Sequence, residues 1–121
     1  MPLQAQERTS VSVGAQIGEK FNGIEVCGLS PHGSGMVAIQ KFDGISSPDL
    51  RLGIGFGEFR EFVYWGLLLN GVAGSYTGAG LGLHLRGGFS FDRFCIGVAG
   101  QTVAGTKKTH SEVLGFIGYR F

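Results

Sequence analysis

The chain has 121 residues, enough for one domain with one core and too few for a scaffold with a separate catalytic lobe. Its 23 glycines follow no Gly-X-Y register, which excludes collagen, and its ten phenylalanines with 43% hydrophobic residues exclude a disordered segment. A formal net charge of +1 leaves no electrostatic footprint for nucleic acid.

Residues 1–8 read as an N-terminal tail. They carry no basic segment followed by an apolar run, so they are not a complete signal peptide. The small residue of Leu3-Gln4-Ala5 before Gln6 nevertheless fits the remnant of an exported protein. From residue 9 onward the dominant signal is period-two alternation, which places every second side chain on one face of a strand. Val11, Val13, Ala15 and Ile17 alternate with Ser10, Ser12, Gly14 and Gln16; Leu81, Leu83, Leu85, Phe89 and Phe91 alternate with Gly80, Gly82, His84, Arg86, Gly88 and Ser90. Turn residues divide the chain into eight predicted strands at about 9–21, 24–30, 35–42, 50–59, 62–74, 79–91, 94–102 and 111–121. Asn22-Gly23 is expected to form the first hairpin turn, pairing Phe21 with Ile24 and Lys20 with Glu25.

Eight antiparallel strands predict an all-β, up-and-down barrel occupying residues 9–121, since closure removes exposed sheet edges. Its two faces then decide its solvent. One face is Leu, Ile, Val and Phe; the other is glycine with few charges, such as Gly53, Gly55 and Gly57. A water-facing wall needs Lys and Glu, whereas glycines in a lumen leave room for a few long side chains, so the greasy face is expected outside, against lipid. The expected lumen polar network is Lys20, Glu25, Arg51, His84, Arg86 and Arg120. Within Phe62-Val63-Tyr64-Trp65, Tyr64 and Trp65 are expected at the membrane interface, where amphipathic rings sit at headgroup level.

Cys27 is expected near the outer end of its strand and Cys95 near the opposite end, both inward and too far apart for a disulfide. The histidines are too scattered for a metal cage, and Gly78-Ala79-Gly80-Leu81-Gly82 lacks the Lys-Ser/Thr and helix of a phosphate loop, so neither metal nor cofactor is expected. Thr109-His110-Ser111-Glu112 reads as a solvated turn. A competing reading takes the uncharged run Phe62–Leu85 as a transmembrane helix, but its glycines cost about 1 kcal/mol each in a helix.

The last strand, Val113-Leu114-Gly115-Phe116-Ile117-Gly118-Tyr119-Arg120-Phe121, resembles the C-terminal signature of Gram-negative outer-membrane β-barrels in Val113, Ile117, Tyr119 and the terminal Phe121. The resemblance implies a bacterial outer-membrane location, insertion by the barrel assembly machinery, and termini on the periplasmic side. Loops after the first, third, fifth and seventh strands would then be the long, outer ones, and 43–49 and 103–110 would face partners. Strands 24–30 and 35–42 fall short of the roughly nine to eleven residues that span hydrocarbon. The leading functional expectation is a small outer-membrane barrel with a structural, adhesion or interaction role and a narrow, side-chain-filled lumen, its partner being the lipid bilayer. The alternatives are a soluble lipocalin-like barrel binding a lipid or other small apolar ligand, and an outer-membrane lipid-modifying enzyme using His84 or His110.

Overall fold

The computed structural model describes residues 10–60 and 62–121; the N-terminal tail read at 1–8 lies outside the described residues. Eight strands follow one another: β1 (Ser10–Gly18), β2 (Phe21–Leu29), β3 (Ser34–Phe42), β4 (Asp49–Arg60), β5 (Val63–Gly74), β6 (Gly78–Phe91), β7 (Phe94–Gly105) and β8 (His110–Arg120). Each pairs antiparallel with the next, and β8 pairs with β1 to close the barrel. From Val11 the ladders lead through Gly28, Gly35, Ile54, Leu69, Leu83, Thr102 and Ser111. The β8–β1 register then returns to the chain about ten residues beyond Val11, a stagger that tilts the strands by roughly 40–45° and leaves a lumen that side chains just fill. At that tilt, strands of this length make a wall roughly 25–30 Å tall.

The faces are inverted relative to a water-soluble barrel. Ile54, Phe56, Leu81, Leu85, Val98 and Val113 are among the exposed large side chains of the outer wall, whereas Glu25, Arg51, His84 and Arg86 are buried within. Glycine permits this. A Cβ at inward Gly55, Gly82 or Gly88 would collide with the backbone oxygens of Leu67, Thr102 or Ile96, while one at outward Gly71 or Gly100 would meet nothing within 4 Å.

The structure corrects several strand limits. The first turn is residues 19–20, and Asn22 and Gly23 lie inside β2 opposite Ile17 and Gln16. The local turn preference of Asn-Gly loses to packing: Phe21 turns inward against Phe42, with ring centroids 5.1 Å apart. Both β2 and β3 have nine residues, so neither wall is short of the spanning length. β7 runs on to Gly105 and β8 begins at His110, which shortens the expected 103–110 loop to residues 106–109. Phe62–Leu85 is the hairpin of β5 and β6, and among the described residues no helix is long and apolar enough to cross a membrane.

Two aromatic clusters lie inside the barrel, one toward each end. At the end bearing turns 19–20, 43–48, 75–77 and 106–109, called here the loop end, Tyr76 stacks on Phe42 at 3.9 Å and His110 meets both rings edge-on. At the terminal end, Tyr64 packs between Phe59 and Phe116 at 4.9 and 5.9 Å, with Cys27, Leu29 and Cys95 buried in the same apolar cluster.

Candidate functional site

Between the two aromatic clusters lies a connected polar network, built from inward positions on all eight strands and one turn. Its centre is Arg86 on β6 and Glu25 on β2. The guanidinium donates from Nη1 and Nη2 to the two carboxylate oxygens at 2.7 and 2.5 Å, and both side chains are almost fully buried. A bidentate pair is the arrangement in which a buried charge is best compensated. Arg86 also donates from Nε to His84 Nε2 at 3.1 Å and lies 4.3 Å over the Phe116 ring.

The network runs from Glu25 toward the loop end through side-chain amides. Gln16 donates to Glu25 at 2.8 Å, Gln40 donates to Gln16 at 2.8 Å and to Gln101 at 3.2 Å, and Gln101 donates to Glu112 at 2.9 Å. Arg51 joins from β4, donating from Nε to Gln40 at 3.3 Å and from Nη1 to Asn70 Oδ1 at 2.5 Å. At the mouth, Glu112 contacts His110 Nδ1 at 2.5 Å, His110 Nε2 meets Thr77 Oγ1 at 2.8 Å, and that hydroxyl faces Asp49 Oδ2 at 2.5 Å. Asp49 also accepts the backbone N–H groups of Tyr76 and Thr77. It thereby pins the 75–77 turn across the mouth.

Four of the six expected network residues therefore meet in the lumen: Glu25, Arg51, His84 and Arg86. The other two do not. Lys20 is exposed in the 19–20 turn, a consequence of the shifted first hairpin. Arg120 holds an inward position but at the terminal rim, where its guanidinium lies 4.9 Å over Phe59 and reaches Asp92 O at 3.4 Å. The sequence reading missed Gln16, Gln40, Asp49, Asn70, Thr77, Gln101, His110 and Glu112. All but Thr77 stand at the inward parity of their strands, so strand phase applied to neutral amides as well as charges would have found them. Thr109-His110-Ser111-Glu112 is not a solvated turn, since His110 and Glu112 point into the mouth.

On the outer wall, Val113, Ile117, Tyr119 and Phe121 are all exposed and share one face of the last segment. Trp65 is exposed as expected. Tyr64 is not; it is 2% exposed and part of the inner cluster, because consecutive strand residues face opposite sides. Trp65, Phe89, Phe91, Phe94, Tyr119 and Phe121 gather their exposed rings at the terminal end. Cys27 and Cys95 are free and buried as expected, but both lie toward the terminal end, since the corrected register carries Cys27 to a place opposite Ser12.

The chemistry available follows from burial. Thr77, His110 and Glu112 occur in the order hydroxyl, imidazole, carboxylate, which is that of an activated nucleophile. The hydroxyl is fully buried next to the Tyr76–Phe42 stack and also faces Asp49, which makes the group a latch on the turn. His84 is likewise fully buried, bonded to Arg86. Among the described residues no group of three or more His, Cys, Asp or Glu is placed to hold a metal. The lipocalin-like alternative required the alternating Leu and Phe face inward; that face is instead outward, and the polar network is inside.

No family model matches the chain, and no curated protein matches it in sequence. Among solved structures it is similar to the Yersinia pestis outer membrane protein Ail, determined in a phospholipid bilayer nanodisc. The two are 16% identical, the match covers 95% of this chain and 99% of that one, and the TM-score is 0.53. The fold is thus that of a small outer-membrane β-barrel, the family its last strand resembles.

Proposed function

We propose that the chain is an integral barrel of the Gram-negative outer membrane, with a structural or interaction role and a sealed, side-chain-filled lumen. The observation that carries this reading is the inverted wall. A continuous band of Val, Ile, Leu and Phe covers the outside while a Glu–Arg pair and a ladder of glutamines fill the inside. Soluble monomers rarely expose contiguous apolar patches beyond a few hundred Å², whereas a bilayer requires such a band, roughly 25 Å tall. The exposed rings of Trp65, Phe89, Phe94 and Tyr119 belong at one interface of that bilayer. Val113, Ile117, Tyr119 and Phe121 form the strand that barrel assembly machinery would read. Partners other than lipid would be met by the outer turns, chiefly 43–48. This reading is of a closed barrel rather than a pore, supported by the aromatic cluster toward each end and the buried network between them.

The test is refolding in detergent, followed by gel mobility with and without boiling and single-channel recording in planar bilayers. The account expects a β spectrum, a mobility shift on boiling, aggregation once detergent is withdrawn, and no conductance steps. A monodisperse β protein in plain buffer would overturn the membrane reading, and regular conductance would overturn the sealed lumen.

A further inference from the structure

We infer that the mouth of the barrel carries a proton-dependent latch: the chain Asp49, Thr77, His110, Glu112 is held together by one shared proton, and losing that proton frees the 75–77 turn from β8. The chain has three contacts in series. Asp49 Oδ2 lies 2.5 Å from Thr77 Oγ1, Thr77 Oγ1 lies 2.8 Å from His110 Nε2, and His110 Nδ1 lies 2.5 Å from Glu112 Oε2. Each contact is of hydrogen-bond length and needs one proton between its two atoms. With both carboxylates ionised and the imidazole neutral, only two are present, one on the Thr77 hydroxyl and one on the ring. The three contacts therefore require a third proton, whichever of the groups carries it.

The groups around the chain hold it in place without supplying that proton. Asp49 accepts the backbone N–H groups of Tyr76 and Thr77, and Glu112 Oε1 accepts from Gln101 on β7. Arg51 on β4 is within electrostatic reach of both carboxylates, but its guanidinium donates to Gln40 and Asn70. The rings packed edge-on to His110 are Phe42 on β3 and Tyr76, and Lys108 in the 106–109 turn lies 5.0 Å over the Tyr76 ring. His110 is 9% exposed at the mouth, which gives the proton a route to water.

Removing the proton to water breaks the chain at Thr77. The neutral ring keeps its Nδ1–H on the Glu112 carboxylate, a charge-assisted bond. The single hydroxyl proton of Thr77 then faces two acceptors, Asp49 Oδ2 and His110 Nε2, so one contact becomes lone pair against lone pair. Thr77 is fully buried, so that repulsion is poorly screened. The turn keeps the Lys107 N–H bond to Thr77 O but loses its hydrogen-bonded tie to β8. The latch is thus present at low pH and lost as pH rises. Its facing the outside rests on the membrane reading; the latch itself needs only the folded barrel.

The test is amide exchange by NMR on the full chain refolded in detergent, from about pH 5 to about pH 10. Rates are expressed as protection relative to the free-chain rate at each pH, so that base catalysis of exchange cancels. Protection at Tyr76 and Thr77 should fall about tenfold with rising pH, from one plateau to a lower one, while Leu68 and Leu69 of β5 hold theirs. Glu112→Gln can keep its carbonyl on Gln101 and present an amide N–H to His110 Nδ1. All three contacts are then met without the extra proton, so protection should stay high and flat. Thr77→Val, nearly isosteric, deletes two contacts and with them the need for the proton, so its protection should be low and flat. Flat protection in the unaltered chain, the same fall in Glu112→Gln or in Thr77→Val, or a fall shared by Leu68 and Leu69 would overturn the proposal.

Discussion

Replacing Arg86 with Met should be the most damaging isosteric change in the lumen. The substitution removes two charge-assisted hydrogen bonds to Glu25, the bond to His84 Nε2 and the guanidinium over Phe116, while roughly conserving volume. Glu25, 4% exposed, keeps Gln16 as its remaining hydrogen-bond partner among the described residues. Breaking a buried pair from one side costs about 3–5 kcal/mol, because the surviving charge stays buried and uncompensated. The paired replacement Glu25→Leu with Arg86→Met removes both charges. It leaves Gln16 and His84 each short of a partner, about 1–3 kcal/mol apiece, against the relief of desolvating two ions. The double variant should therefore be more stable than Arg86→Met alone, with a coupling energy of about 2 kcal/mol or more. Urea titration of detergent-refolded barrels, scored by the unboiled gel band, gives all four corners of the cycle. A loss below about 1 kcal/mol for Arg86→Met, or additive single effects, would refute the buried-pair reasoning.

The glycines give a clean contrast. Gly88→Ala pushes a methyl into the Ile96 carbonyl and should abolish the folded band, whereas Gly100→Ala on the open outer wall should shift the urea midpoint by less than about 0.5 kcal/mol equivalent. Cys27 and Cys95 should resist maleimide in the folded barrel and react only after boiling, read by mass. Asp49→Ala unpins the 75–77 turn by removing three hydrogen bonds, so proteolysis or amide exchange should rise at Tyr76 and Thr77 while the unboiled gel band persists.

Much of this barrel was legible because its inside-out alternation is strict. The Leu81–Phe91 run places greasy and glycine-rich faces on opposite sides without help from any distant residue, and β6 follows it. The first hairpin was not legible from local rules. Asn22-Gly23 is a strong turn dipeptide, but Gly23 is needed for space, since a Cβ there would press on Ile39 O and Gln16 Oε1 at 2.8 and 3.0 Å. The register that satisfies it is set by Phe42, twenty residues away, and by the Gln16–Glu25 bond. In the candidate site, charge drew attention to Glu25, Arg51, His84 and Arg86, while the neutral amides that join them carry no such flag. Tyr64 and Trp65 show the same limit: composition places both at an interface, but strand parity sends only Trp65 outward.

The central claim is that the apolar wall faces acyl chains, and Trp65 tests it directly as the one tryptophan of the chain. It is 43% exposed on the outer wall near the terminal end. In vesicles of phospholipid brominated near the glycerol end of the acyl chain, the account predicts strong quenching of its fluorescence, weakening as the bromines are moved toward the end of the chain. Quenching by aqueous iodide with indifference to the brominated lipid would contradict it.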